Sequence, residues 1–333
     1  MLLKDISFII PVYNRPNEID ELLKSFSNME GKKDFEIIII ENGSTKKCDL
    51  IAKNYNDLNI SYYFKKNSGP GDSRNYGMKK AKGDYFIILD SDIILPNNYS
   101  QKLIKNLKDN FSDCFGGVDD SHKSFNNFQK AVSYSMTSFV TTGHIRGGNR
   151  AKGFQPRSFN MGISKEAYLK SKGFGMIHPG EDPDLSIRLK KLGFSIKLYN
   201  DLKVYHKRRI TVLGFFKQIY KFGISRSILN NRYPETKKII YWFPLFFSLF
   251  FITSIFLFLL NMSSFLLIIC ALYFLLIFIQ SSIKNNLIVG LLSVFTTMIQ
   301  FNAYGFGFLK SFLLIKIFYF KKVESIFPKM FFN

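Results

Sequence analysis

The sequence predicts an α/β domain built on a parallel sheet with helices on both faces, followed by helices that enter a membrane. Three observations predict it. Short, continuously apolar runs alternate with helical patterns over about the first 90 residues, as strands buried on both faces do. Three of these runs end in polar clusters: Tyr13-Asn14, Glu41-Asn42-Gly43-Ser44 and Asp90-Ser91-Asp92. After Tyr241 the chain turns to Phe, Leu and Ile, in stretches that reach the roughly 20 residues a bilayer core requires.

Taken in order, residues 6–12 are the first apolar run, and a helix follows from Asn17 with Ile19, Leu22, Leu23 and Phe26 on one face. Phe35 to Ile40 is the second run, followed by a helix through Ile51 and Ala52, and Ile60 to Phe64 is the third. Ser68-Gly69-Pro70-Gly71 reads as a turn, and a helix from Asp72 to Ala81 leads to the strand that ends at Asp90. From Phe111 to Gly162 the periodicity weakens, and Gly147-Gly148-Asn149-Arg150 reads as a mobile stretch. Phe159-Asn160-Met161-Gly162-Ile163 comes next, with helices expected from Lys165 and around Leu185, Leu189 and Leu192. Lys203 to His206 closes a last short strand.

In open α/β sheets ligands bind beyond the carboxyl ends of the strands, so the three polar clusters are expected to gather at one edge. Asp90 and Asp92, two residues apart, point to the same side of an extended chain. Alone, they fit either a polar turn before the next helix or a seat for a hard divalent cation.

The formal charge of +21, from 46 basic and 25 acidic residues, suits an anionic surface. With no zinc-finger spacing and no RNA-binding aromatic signature, a membrane explains the charge better than nucleic acid. Cys48, Cys114 and Cys270 form no disulfide framework, which fits a reducing cytosolic face. The first residues carry no signal-peptide pattern. Residues 212–229 combine Phe215, Phe216, Ile219, Phe222 and Leu229 with Lys217, Lys221 and Arg226. That is the pattern of a basic helix at a membrane interface and equally of an ordinary surface helix; its position before an apolar segment favours the interface.

Spans are expected at 239–260 and 264–283, with a weaker third at 287–309 interrupted by Gln300, Asn302, Gly305 and Gly307. Three full spans would put Lys310, Lys316, Lys321 and Lys322 opposite a cytosolic N-terminal domain, against the positive-inside tendency. A re-entrant third segment or an interfacial last helix would resolve the conflict. The expected organisation is a soluble domain over 1–211, an interfacial helix and linker over 212–238, and a membrane region over 239–333.

Six short motifs follow one another: Pro11-Val12-Tyr13-Asn14, Glu41-Asn42-Gly43-Ser44, Gly71-Asp72-Ser73-Arg74-Asn75-Tyr76-Gly77, Leu89-Asp90-Ser91-Asp92, Asn160-Met161-Gly162 and Gly180-Glu181-Asp182. In this order they resemble the inverting glycosyltransferases of family 2, over roughly residues 5–230. The resemblance implies the GT-A fold, which is Rossmann-like, and a nucleotide-sugar donor. It implies that Pro11 and Tyr13 line the base pocket, that Glu41 touches base or ribose, and that Arg74 lies near the nucleotide. Asn42 departs from the usual acidic pair and bears on which base is bound.

By the same resemblance, Asp92 is a direct ligand of Mg2+ or Mn2+, Asp90 contacts ribose or a metal-bound water, and His206 is a metal ligand or a structural histidine. A metal at a sugar diphosphate acts as a Lewis acid on the leaving group. Asp182 is the expected catalytic base, with Glu181 its rival or helper and Asn160, Met161, Gly162 and Glu181 in the acceptor region. The bland alternative is that Glu181, Asp182 and Asp184 only favour the start of a helix.

The implied activity is transfer of one sugar to a membrane-borne, lipid-linked acceptor on the cytoplasmic face, in surface polysaccharide or glycolipid assembly, with membrane lipids as further partners. A polyprenyl-phosphate glycosyltransferase is the alternative with the same chemistry, and a catalytically silent nucleotide-sugar-binding scaffold the alternative of another class. The Gln-x-x-Arg-Trp signature of processive synthases does not match Gln218 to Phe222.

Overall fold

The computed structural model describes residues 1–120, 125–143, 154–206 and 211–332; the Gly147 to Arg150 stretch lies outside them. The chain divides into two compact units: Met1–His122 with Asn149–Arg208 and Phe332–Asn333, and Lys123–Gly148 with Arg209–Phe331.

The first unit begins with β1 (Ile6–Val12), α1 (Pro16–Ser27), β2 (Glu36–Asn42), α2 (Asp49–Lys53), β3 (Ile60–Lys65), α3 (Pro70–Lys80), β4 (Tyr85–Leu89), β5 (Ile93–Ile94), α4 (Tyr99–Asp109) and β6 (Cys114–Asp120). After α5 (Asn127–Thr137) and α6 (Phe139–Thr142), which belong to the second unit, it is completed by β7 (Asn160–Ser164), α7 (Lys165–Ser171), α8 (Glu181–Lys191) and β8 (Ile196–His206).

One sheet runs in the order β3-β2-β1-β4-β7-β6-β8-β5. From β3 to β4 it is parallel, as expected. The other half corrects the expectation of a wholly parallel sheet, because β7 is antiparallel to both β4 and β6, and β5 to β8. A helical crossover returns the chain to the end of the sheet where a parallel strand must start. The long excursion before β7 delivers it to the opposite end. That excursion, weakly periodic in sequence, holds β6, α5 and α6.

Alternate residues of each strand serve opposite faces. Phe8, Ile10, Ile37, Ile39 and Ile87 pack with Leu22, Leu23 and Phe26 of α1 and Leu103 of α4. Ile9, Ile38, Ile40, Phe86 and Ile88 pack with Met78 of α3 and Leu185 and Leu189 of α8. Each large apolar side chain so buried contributes about 1.5–3 kcal/mol. At Gly77 a side chain would lie within 2.6 Å of Ile9 and Ile40, so α3 rests directly on the sheet and holds Arg74, one turn earlier, over the strand ends. β1 and β4 are neighbours, with β2 and β3 on one side only. The strand order therefore reverses beside β1, which opens a crevice at the carboxyl ends of β1 and β4.

The second unit contains α5, α6, α9 (Val212–Arg232), α10 (Phe243–Leu259), α11 (Phe265–Lys284), α12 (Leu287–Ile317) and α13 (Val323–Ile326). Val132 and Met136 of α5, Phe215 and Ile219 of α9 and Ala303 of α12 share one core. At Gly223 and Gly307 added side chains would meet the backbone carbonyls of Tyr304 and Tyr220 within 2.3 Å, so these glycines let α9 and α12 approach closely.

Three helices are long and apolar enough to cross a membrane: Ile239–Leu259, Phe265–Lys284 and Leu287–Ile317. The third differs from the others, with 44% of its most apolar window buried against 17% in each of the first two. α10 and α11 form an antiparallel hairpin, with Phe251 against Phe274 and Ser254 against Cys270. α12 runs antiparallel to α11, through Ser281 with Ser293 and Tyr273 with Phe301. It also meets the start of α10, through Phe243 and Phe247 with Phe301, and Trp242 just before α10 packs on Phe312.

Candidate active site

Each polar station of the site sits at the end of an element that the core fixes. Asp90 follows β4 directly, and Asp92 precedes β5. β5 pairs with β8 in the register that sets Ile93 opposite His206, which carries the imidazole to the aspartates across more than 100 residues of chain. One ligand atom from each of Asp90, Asp92 and His206 lies within 4.8 Å of the others. Two carboxylates and an imidazole make an oxygen-rich donor set with one nitrogen, a set that fits Mn2+ or Mg2+.

Arg15, just beyond β1, reaches the same carboxylate. Its Nη1 lies 2.5 Å from Asp92 Oδ2, while His206 Nε2 lies 3.1 Å from Asp92 Oδ1. Burial alone would raise the pKa of Asp92, but His206 and then Arg15 outweigh it and hold the carboxyl well below the usual range.

Arg74 spans from this cluster to α8. It is 4% exposed, and its Nη2 and Nη1 lie 3.0 Å from Asp90 Oδ1 and Glu181 Oε1 respectively. Burial would lower its pKa, yet Asp90 and Glu181 raise it, so the guanidinium stays charged. Glu181 also contacts His178 Nδ1 at 2.9 Å and accepts from the Gly180 N–H. Burial pushes its carboxyl up, but His178 and Arg74 bring it down to about 2.

Asp182, the next residue, is held differently. Its Oδ2 accepts from the Ser158 N–H at 3.1 Å and the Ser158 hydroxyl at 3.3 Å, while Oδ1 is buried and has no hydrogen-bond partner. Burial and then the neighbouring Glu181 charge raise its pKa to about 6. A carboxylate with one oxygen anchored and the other without a partner, titrating near 6, has the properties of a general base. Asp184 instead pairs with Arg188 at 2.9 Å within α8.

The other expected site residues lie as follows. Pro11 is half-buried in β1, and Tyr13 is exposed beyond it. Glu41 is fully buried and accepts from Ser44, from the Cys48 N–H at 2.9 Å and from Tyr62 at 3.3 Å. Its carboxylate thus ties the loop after β2 to the core. Asn160 is buried in β7 between the Tyr99 hydroxyl at 2.7 Å and the Leu202 carbonyl at 3.0 Å, and Met161 and Gly162 are buried beside it. Phe159, next to them, packs its ring 5.4 Å from that of His206. Sequence reasoning missed Arg15, Ser158 and His178. Only Arg15 had a visible signal, its place directly after the first polar cluster.

Residues 7–166 match the sequence profile of Glycosyl transferase family 2. An uncharacterised glycosyltransferase of Rickettsia bellii is 40% identical over 106 residues, 32% of this chain and 15% of that protein. The GalNAc(5)-diNAcBac-PP-undecaprenol beta-1,3-glucosyltransferase of Campylobacter jejuni is 24% identical over 249 residues, 70% of this chain and 76% of that protein. The chain spans well under half the length of the curated relatives it matches first, between 15% and 40%. Among solved structures, a mannosyltransferase of Pyrobaculum calidifontis in complex with GDP-Man and Mn2+ aligns with a TM-score of 0.60 at 14% identity, over 94% of this chain and 88% of that one. That likeness is one of fold, and the fold is GT-A.

Proposed function

We propose, for a chain whose residues 7–166 form a glycosyl transferase family 2 domain, that it is a membrane-attached inverting glycosyltransferase. It moves one sugar from a nucleotide-sugar donor to a hydroxyl of a membrane-borne, lipid-linked glycan. Residues 1–211 do the chemistry, 212–238 lie at the interface and 239–333 hold the membrane, with the catalytic unit on the cytoplasmic face.

The observation that carries this reading is the state of Asp182, with a buried, unpartnered Oδ1 and a pKa raised to about 6. A sugar hydroxyl attacks an anomeric carbon poorly unless its proton is removed during attack, and a positioned base contributes about 10²–10⁴-fold. Asp182 Oδ1 takes that proton while Ser158 holds the other oxygen. A lipid phosphate acceptor is already ionised and needs no such base, so Asp182 favours a hydroxyl acceptor. The lipid-linked class of acceptor is supported by the Campylobacter relative, whose name carries an undecaprenol diphosphate glycan.

On the donor side Asp90, Asp92 and His206 would hold Mg2+ or Mn2+, which when bound supplies a Lewis acid for the departing diphosphate. Arg74 bridges Asp90 and Glu181 and so links the donor station to the residue beside the base. Pro11 and Tyr13 border the nucleotide. Glu41, buried under the loop after β2, shapes that pocket through the loop.

The deciding experiment is sugar transfer by purified full-length protein with a panel of nucleotide sugars and an acceptor extract, with Asp182→Asn beside wild type. Donor binding without transfer to any acceptor would favour the silent scaffold. Undiminished transfer by the variant would remove Asp182 from the base role.

A further inference from the structure

Within the helical unit, where the end of α9 and the start of α10 meet the C-terminal part of α12, lies a cavity of about 330 Å3 whose wall includes Lys237, Lys238 and Lys316. Asn230, Trp242 and Phe312 also line it. We propose that this cavity binds the headgroup phosphate of an anionic bilayer phospholipid, a site separate from the sugar-transfer chemistry.

The charge is the first argument. Three lysines and no acidic residue line the cavity, and none of the three forms a salt bridge among the described residues. Concentrated positive charge of this kind, beside a membrane segment, attracts anionic lipid. Asn230 supplies a second, independent feature: it is 8% exposed and its Oδ1 has no hydrogen-bond partner. A buried amide without a partner is costly unless a ligand completes it. Rotation of the amide about its last bond exchanges donor for acceptor, so it can answer a phosphate oxygen or a glycerol hydroxyl.

The third argument separates a lipid from a free anion. Trp242 and Phe312 pack edge to face at 5.0 Å along the wall. Ile239, Phe243, Leu313 and Ile317, in the same segments, are 87%, 40%, 47% and 60% exposed. Lysines beside an aromatic wall, with exposed apolar residues in the same segments, match a ligand with a charged head and an apolar tail, and Trp and Lys are common anchors at the lipid–water boundary. Inorganic phosphate would leave the aromatic wall without a partner.

Trp242 is the only tryptophan of the chain, so its fluorescence reports on this wall alone. The proposal rests on the helical unit entering a bilayer, which alkaline carbonate extraction of membranes tests separately. The binding experiment titrates full-length protein in detergent with phosphatidylglycerol, phosphatidylcholine, diacylglycerol, a polyprenyl phosphate and inorganic phosphate. The expected result is a saturable, salt-sensitive Trp242 response to phosphatidylglycerol at least 10-fold tighter than to the other four. The combined substitution of Lys237→Gln, Lys238→Gln and Lys316→Gln should weaken it at least 10-fold, with unchanged thermal unfolding showing that the variant is folded. Equal responses to phosphatidylglycerol and diacylglycerol, or to inorganic phosphate, would overturn the proposal, as would tighter binding of the polyprenyl phosphate. If the triple variant is misfolded, Lys316→Gln alone, with the same readout, decides.

Discussion

Arg74 and Glu181, 107 residues apart in sequence, are joined at 3.0 Å in the interior of the catalytic unit, each no more than 6% exposed at its side chain. Arg74 holds Asp90 at the same distance with its other terminal nitrogen. One guanidinium thereby neutralises the acid after β4 and the acid that begins α8.

Removing it breaks the buried pair with Glu181, which keeps His178 beside it, and frees the half-buried Asp90; breaking a buried pair typically costs about 3–5 kcal/mol. Arg74→Met should therefore lower the unfolding midpoint by many degrees. Arg74→Lys should recover less than half of that loss, since one ammonium cannot span both carboxylates in a fixed fork. Equal melting temperatures for wild type and Arg74→Met would show that the bridge contributes nothing.

Asp182→Asn is expected to reduce transfer by about 10²–10⁴-fold while leaving donor binding intact. The same variant should be more stable at pH 7. A carboxyl whose folded pKa is raised from 3.8 to about 6 contributes stability that is complete below pH 3.8 and lost as pH rises through 6. A shift of about 2 units corresponds to roughly 3 kcal/mol, so a gain of order 1–3 kcal/mol is expected in chemical denaturation. Loss of activity together with loss of stability would point to a structural role instead.

The same pKa fixes the direction of the rate profile. Single-turnover transfer should rise with pH through about 6 and level off, because only ionised Asp182 accepts a proton. Glu181, brought down from 4.5 to about 2, contributes stability that is present above pH 4.5 and lost as pH falls towards 2. A rate that is flat between pH 5 and 8 would argue against Asp182.

Chelation should abolish metal-dependent donor binding, and Asp92→Ala or His206→Ala should weaken Mn2+ binding at least 10-fold by calorimetry. Arg15→Ala frees Asp92 Oδ2 of its 2.5 Å ion pair and should tighten Mn2+ in the absence of donor. Full turnover by wild type in excess chelator would end the metal assignment.

The positive-inside tendency predicts that Lys310, Lys316, Lys321 and Lys322 lie on the cytoplasmic face. Cysteine placed at Lys321, in a background lacking Cys48, Cys114 and Cys270, should react with a membrane-impermeant maleimide from the same face as cysteine at Lys165. Labelling from the opposite face would make α12 a full span.

By itself the sequence determined what is local and periodic. Alternating apolar positions laid Ile9 and Ile10 on opposite faces of one strand, and the polar residues after each run marked the reactive edge. Asp90, Asp92 and Asp182 were legible because each ends or begins an element whose pattern is strong. The tertiary structure alone decided which distant groups meet. His206 joins the aspartates only because β8 pairs with β5, Ser158 anchors Asp182 from a stretch without clear periodicity, and Arg15 competes for the carboxylate that a metal would use. The same holds for Glu41, whose motif suggested ligand contact while its burial ties it to Cys48 and Tyr62. Strand register, burial and ion pairing are properties of packed neighbours, and spacing along the chain carries no record of them.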